Sequence, residues 1–180
     1  MLGDIDPVAL ERFARELSPT LDRITLVEVN SAERSSVDQF VQSAIDAFGT
    51  IDFVVPSAGI YPEQLLEDIT DEKWRLVMSI NLDGVFYLLR ACIPHLTAGA
   101  AIINIASVSG HRGSHSHAHY AATKAAVISL TRSLAMELGP RQIRTNAVSP
   151  GIIRTPMIAD FLEQRGATTL ATTPLGRLGE

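Results

Sequence analysis

Tyr120 and Lys124 stand four residues apart, and Ser107 lies thirteen residues before Tyr120 at the end of a Val/Ile-rich stretch. Four residues on a helix make about one turn, so the phenol and the ammonium project from one face. A phenol has a reference pKa of about 10 and is protonated near neutrality. A fixed cation beside it stabilises the phenolate and lowers that value, each unit corresponding to about 1.4 kcal/mol. Such a tyrosine can take a proton from an alcohol or give one to a carbonyl, which is general acid–base work. Ser107, folded beside it, could hold the reacting oxygen. In isolation the Tyr-x-x-x-Lys spacing is more often a half-buried tyrosine next to a solvated lysine.

Elements able to position these side chains alternate between helical and strand periods, the sequence sign of β-α-β units and a parallel sheet. Asp6-Pro7 is a helix start, with a capping side chain followed by proline at the first helical position. Ile24 to Val29 reads as a strand. Val37, Phe40, Val41, Ala44, Ile45 and Phe48 form a helical stripe that Gly49 ends. Ile51 to Val55 is the next strand. Thr70 caps a long helix running to about Cys92, with Asp71 and Glu72 in its first turn, where negative charge suits the helix dipole. Ala101 to Ala106 is a continuously apolar strand, as expected where helices cover both faces of a sheet. A helix from about Ala118 to Leu138, stopped by Gly139-Pro140, carries Tyr120 and Lys124 in its first turns. Ile143 to Val148 is the last clear strand.

Ile102 to Gly110 with Ser107, then Tyr120 and Lys124, then Asn146 to Thr155 together resemble the short-chain dehydrogenase/reductase family, and the resemblance runs from about Asp4 to Glu180. It implies an α/β fold, a doubly wound parallel sheet of Rossmann type, with ligands bound beyond the carboxyl ends of the strands. It implies hydride transfer between a secondary alcohol or ketone and a nicotinamide cofactor. Carried over by position, Tyr120 is the acid–base and Lys124 lowers its pKa and holds the nicotinamide ribose. Ser107 binds the substrate oxygen, and Asn81 supports a proton relay through water. Pro150, Gly151, Ile153 and Thr155 match the segment that passes over the nicotinamide. Read alone, that segment is a strand-ending turn. Ala58-Gly59 matches the end of an Asn-Asn-Ala-Gly motif at the cofactor ribose, but Pro56-Ser57 replace the two asparagines. Pro56 cannot donate to a strand ladder. Asp4 looks like the acid that accepts from both ribose hydroxyls of NAD and repels the 2′-phosphate of NADP, so NAD is expected over NADP. Glu28-Val29 occupies the place of an Asp-Val that touches adenine.

The 180 residues, 46% of them hydrophobic, suffice for one sizeable core. A net charge of −5 offers no basic stripe for nucleic acid. No uninterrupted apolar run approaches the roughly 20 residues of a membrane span, and the acidic N-terminus does not read as a secretion signal. The one cysteine, Cys92, cannot form an internal disulfide, and a cytoplasmic location is the default expectation. Cys92 and Trp74 read as core residues. His111, His115, His117 and His119 crowd the stretch before Tyr120. Alternation would set His115, His117 and His119 on one side of an extended segment, leaving open a zinc or nickel site or, more simply, a polar loop over the substrate pocket. The segment from Met157 to Thr173 carries no decisive chemistry for choosing a substrate.

The glycine-rich phosphate loop of the resembled family has no counterpart here, and the family continues beyond residues 174–180. Residues 1–180 therefore read as one dinucleotide-binding domain truncated at both ends, lacking the first strand with its glycine loop and the last helix and strand. In the family's strand order 3-2-1-4-5-6-7 that first strand is central, so two apolar edges would lack partners. Two functions stay open: an NAD-dependent dehydrogenase, homo-oligomeric through its long helices, or a non-catalytic remnant that serves as an interaction module.

Overall fold

The structure is a computed structural model and describes residues 1–159, 162, 163, 166, 170, 171 and 173–179. Of the segment 157–173, residues 160, 161, 164, 165, 167–169 and 172 lie outside that set. The elements are β1 (Leu2–Asp4), α1 (Pro7–Leu17), β2 (Leu26–Glu28), α2 (Arg34–Phe48), β3 (Ile51–Val54), α3 (Asp71–Met78), α4 (Gly84–Cys92), β4 (Leu96–Ile105), α5 (Ser109–Arg112), α6 (Ala118–Leu138) and β5 (Arg144–Val148). All strand pairing between them is parallel, as the β-α-β alternation requires.

Local signals fix several boundaries. The Asp6 carboxylate accepts from the backbone N–H groups of Val8 and Ala9 at 2.9 and 3.1 Å, so α1 starts at Pro7. Gly49 ends α2 in the left-handed region, φ 74°, which only glycine enters without steric cost. β2 is shorter than the predicted Ile24 to Val29, because Leu21 and Arg23 both adopt positive φ and hold the chain in a turn up to Ile24. β4 is longer than the predicted Ala101 to Ala106; its first half continues back to Leu96, and the Gly99 N–H donates to the Gln142 carbonyl at 3.0 Å.

The helix expected from Thr70 to Cys92 is interrupted. Thr70 caps α3 by accepting from the Lys73 N–H, but a single wide turn of π-helix, Ser79–Asp83, separates α3 from α4. The stretch Asp71–His95, 25 residues, is long and apolar enough to cross a membrane by length and composition. Here Val77, Val85, Leu89 and Cys92 of that stretch are buried against the rest of the protein. Trp74, expected in the core, is 39% exposed, because α3 turns only Val77 fully inward.

The core gathers Val54 of β3, Val85, Leu89 and Cys92 of α4, Ile102 of β4, and Val127, Leu134 and Leu138 of α6. Helix α6 is buried on several sides, including the polar Thr123, Lys124 and Thr131, as befits the central helix of a layered fold. The strands form two sheets, β1-β2 and β3-β4-β5. β1 and β3 are edge strands, and both line one cavity of about 1150 Å³ whose walls also include Phe13, Phe40, Phe48 and Val85. Phe53 on β3 is 72% exposed there.

Candidate active site

The carboxyl end of β4 is the pivot of the site. Ile105 ends the strand, Ser107 follows two residues later, and Lys124 reaches across from α6 to donate from Nζ to the Ile105 carbonyl at 2.7 Å. Ser107 lies close enough to the Tyr120 phenol to favour its ionised form, and its Oγ accepts from the Ser109 N–H at 3.1 Å. Helix α5 lies directly against α6 at this point. A Cβ on Gly110 would fall 2.7 Å from the Lys124 carbonyl carbon and 2.8 Å from the Ala125 nitrogen, so only glycine permits the approach. The geometry unites the three residues that the sequence spacing singles out.

Asn81 sits in the π-helical turn and is fully buried. Its amide clamps one backbone unit from both sides: the Ile60 N–H donates to Oδ1 at 2.8 Å, and Nδ2 donates to the Ile60 carbonyl at 2.9 Å. The extra residue of the wide turn is what lets a side chain leave a continuous helix in this direction, a common use of such turns at functional sites. Gly59 lies between Asn81 and Lys124. A Cβ there would stand 3.4 Å from Asn81 Oδ1 and 3.9 Å from Lys124 Nζ, so the bare backbone keeps a cradle open beside the lysine.

The electrostatics depart from expectation. The Tyr120 phenol is pushed above its ordinary value, chiefly by burial and secondarily by Tyr61, with Ser107 acting in the opposite direction. Lys124 makes its hydrogen bond elsewhere. The ammonium lies 5.7 Å from the Tyr120 ring centroid and points at a backbone carbonyl, and burial pulls its own pKa down to about 8.

The remaining candidates fall into separate groups. Asp4, Val29, Ser57 and Ala58 line the cavity of about 1150 Å³ between β1 and β3. Asp4 ends β1, is exposed, and accepts from the Asp6 N–H at 3.0 Å. Glu28 is exposed at the end of β2 and is not part of that lining. Pro150 and Gly151 follow β5 beside Ser107, where the Val108 N–H donates to the Pro150 carbonyl at 3.2 Å. Ile153 pairs with Gly179, and Thr155 is exposed just before a short 3₁₀ turn, Pro156–Ile158. β3 ends at Val54, before Pro56, in line with proline's missing donor.

The histidines are not aligned on an extended segment. His115 is exposed in a turn, His117 is buried immediately before α6, and His119 is fully buried inside its first turn. Among the described residues no group of three or more His, Cys, Asp or Glu side chains could share a metal ion. Sequence reasoning missed Tyr61. Its ring stacks on His117 with centroids 3.8 Å apart and planes 3° from parallel, and meets Tyr120 in a T-shaped contact at 4.6 Å. Only its position two residues after Gly59 hinted at the site. Tyr61 also lines a second cavity of about 560 Å³ with Gly59, Gln64, Lys73, Val77 and Met157.

A serine–tyrosine–lysine set at the strand ends of a parallel α/β fold, with Ser107 and Lys124 buried and Tyr120 half-buried, points to a class of oxidoreductases, and comparison with known proteins gives the family. A family model described as enoyl-(acyl carrier protein) reductase matches residues 1–180. The chain is 35% identical to the 3-oxoacyl-(acyl-carrier-protein) reductase of Thermotoga maritima, covering 99% of this chain and 73% of that protein. It is 39% identical to the trans-4-hydroxycyclohexanecarboxylate dehydrogenase of Sinomonas cyclohexanicum, covering all of this chain and 69% of that one. A crystal structure titled short-chain dehydrogenase/reductase, glucose/ribitol dehydrogenase, from Brucella melitensis superposes with a TM-score of 0.93 at 44% identity, over 99% of this chain and 72% of that one. The chain belongs to the short-chain dehydrogenase/reductase family, whose members are oxidoreductases that use nicotinamide cofactors.

Proposed function

We propose that the protein interconverts a secondary alcohol and its ketone with NAD, using Tyr120 as the acid–base. The observation that carries this reading is the meeting of Ser107, Tyr120 and Lys124 at the end of β4, with the Lys124 ammonium buried one helical turn from Tyr120 and 5.7 Å from its ring centroid. The nicotinamide supplies the hydride acceptor or donor. Tyr120 gives its phenolic proton to the carbonyl oxygen, or takes it from the alcohol in reverse, and Ser107 Oγ holds that oxygen in line. Lys124 Nζ, facing the open backbone at Gly59, suits the ribose hydroxyls. Asn81 fixes Ile60 and so the floor of this cradle.

The residues present fit the two sugar ends of the cofactor. Asp4, exposed at the end of β1 beside the larger cavity, suits a ribose diol and opposes a 2′-phosphate, which favours NAD over NADP. Among the described residues no strand leads through a glycine-rich turn into a helix, so the donors to the pyrophosphate are not assigned. The substrates named for relatives, cyclohexanol and trans-4-hydroxycyclohexanecarboxylate, are secondary alcohols, which supports that class here.

Calorimetric titration with NAD, followed by turnover of cyclohexanol-type alcohols, tests the proposal. Tyr120→Phe should abolish turnover and leave NAD affinity largely intact; an active Tyr120→Phe protein refutes the assignment. A second reading, a non-catalytic interaction module, is favoured by the unpaired edges of β1 and β3. It predicts a folded chain that binds no NAD. Exposed Trp74, Leu76, Phe86 and Met136 on α3, α4 and α6 support self-association in either case.

A further inference from the structure

We infer that Tyr61, braced by its stack on His117, is a positioning residue that holds the Tyr120 phenol against Ser107. The inference deepens the dehydrogenase reading and rests on it for its catalytic meaning. Tyr120 is the third residue after His117, in the first turn of α6, where the helix has no preceding turn to restrain it. Something outside the helix must fix the ring if the phenol is to meet Ser107 repeatedly in one pose.

Tyr61 is built to do so. Its ring makes the T-shaped contact with Tyr120 on one side and the parallel stack with His117 on the other. The T-shaped contact is a favoured geometry for aromatic pairs, and the stack lays the Tyr61 and His117 ring faces directly on one another. His117 is 3% exposed and held in turn: its Nδ1 lies 2.7 Å from the His115 carbonyl, which fixes that nitrogen as the protonated donor, and Ser114 Oγ lies 3.4 Å away. The two loops that carry the pair are stitched together by their backbones. The Gln64 N–H donates to the Ser116 carbonyl at 2.6 Å, and Gln64 bridges to His117 in parallel. The Tyr61 hydroxyl reaches Ser114 Oγ at 3.5 Å. The strut therefore runs from the loop after β3, through two stacked rings, to the phenol.

The ionisable groups facing the Tyr120 ring are Tyr61 from that loop and Lys124 from α6, with His117 behind Tyr61. Removing the Tyr61 ring opens one side of the phenol to water and lets it rotate off Ser107. The chain has three tyrosines, so Tyr61→Phe and Tyr61→Leu both leave Tyr87 and Tyr120 as the titrating phenols, and subtracting the matching Tyr120→Phe double variants isolates Tyr120.

Ultraviolet titration at 295 nm should show Tyr120 ionising at a high pH in Tyr61→Phe, which keeps the ring. In Tyr61→Leu it should ionise at least about half a pH unit lower, because solvation of the phenolate is restored. In turnover assays Tyr61→Leu should lose about tenfold in kcat with NAD affinity unchanged, and Tyr61→Phe should rescue it. His117→Leu and His117→Phe should repeat the pattern from the other ring, which covers the case in which Tyr61→Leu fails to fold. Identical Tyr120 titrations in the Phe and Leu variants at both positions overturn the inference. A protein that titrates as expected but oxidises no secondary alcohol sinks the dehydrogenase reading instead and leaves the hold on Tyr120 demonstrated.

Discussion

Burial of Lys124 makes stability depend on pH in a direction opposite to that of a salt-bridged lysine. Its folded-state pKa is about 8 against an ordinary 10.5, the cause is desolvation, and the residue is 5% exposed. Because the folded value is depressed, the unfolded chain binds the extra proton between pH 8 and pH 10.5, and stability rises through that window. The slope is about 1.4 kcal/mol per unit, so the full difference is about 3 kcal/mol, and between pH 7 and pH 9.5 about 2 kcal/mol of it is realised. Lys124→Met removes the titration while keeping most of the side-chain volume. Urea unfolding of both proteins at pH 7.0, 8.0, 9.0 and 9.5 isolates the effect, since the other groups cancel in the difference. Wild type should gain about 2 kcal/mol relative to Lys124→Met over that range. A difference that stays flat, or that falls with pH, refutes the argument and would mean that the ammonium is better compensated than its bond to the Ile105 carbonyl allows.

Other consequences are as direct. Asn81→Ala strips both partners from the Ile60 backbone and should cost about 2–4 kcal/mol, read as a lower urea midpoint. Gly110→Ala drives a Cβ into the Lys124 and Ala125 backbone; overpacking of this kind costs about 1–3 kcal/mol, or several degrees in Tm, and should reduce turnover by shifting Lys124. His119 is held below its ordinary pKa by burial and by His117, with the His117 backbone pulling weakly the other way. The unfolded chain therefore takes up its proton first, and stability should fall as pH drops below about 6.5. His119→Phe should flatten that acid limb, and an unchanged limb would place the lability elsewhere. Burial pushes the Cys92 thiol up to about 12, so a thiol reagent should label the native protein hardly at all and the urea-unfolded protein at once.

What could be read from the sequence followed the range of the interactions involved. The span of α6, the start of α1 at Pro7 and the stop at Gly49 rest on residues within a turn of the boundary, and the structure reproduces them. The break at Ser79–Asp83 could not be read that way. Neither proline nor glycine precedes it, and its visible consequence, the Asn81 clamp on Ile60, spans 21 positions of sequence. Trp74 shows a related failure. Its helical spacing from Val77 and Met78 suggested a core face, yet a helix of eight residues interrupted by a wide turn presents too narrow a stripe to bury it. Tyr61 had no spacing signal toward its partners, since His117 and Tyr120 lie more than fifty positions away. The residue types of the site were legible, but the sign of the Tyr120 shift was not. That sign depends on which group loses more water, and only the packing of α5, α6 and the loop after β3 decides it.

The opposed shifts of Tyr120 and Lys124 bear on which direction of the proposed reaction the site favours. With its phenol held up and protonated across the neutral range, Tyr120 is ready to give a proton, the role required when a ketone is reduced. Oxidation of an alcohol needs the phenolate, whose fraction grows about tenfold per pH unit below the folded pKa. Loss of the Lys124 charge near pH 8 removes what positive charge the site offers and keeps that phenolate scarce until the pH is higher still. Ketone reduction should therefore be level through neutral pH, while kcat/KM for alcohol oxidation should climb steadily above pH 8 without a plateau. An oxidation profile that levels off below pH 8 would show that Tyr120 ionises far more easily than its burial permits, and would return the task of lowering its pKa to Lys124.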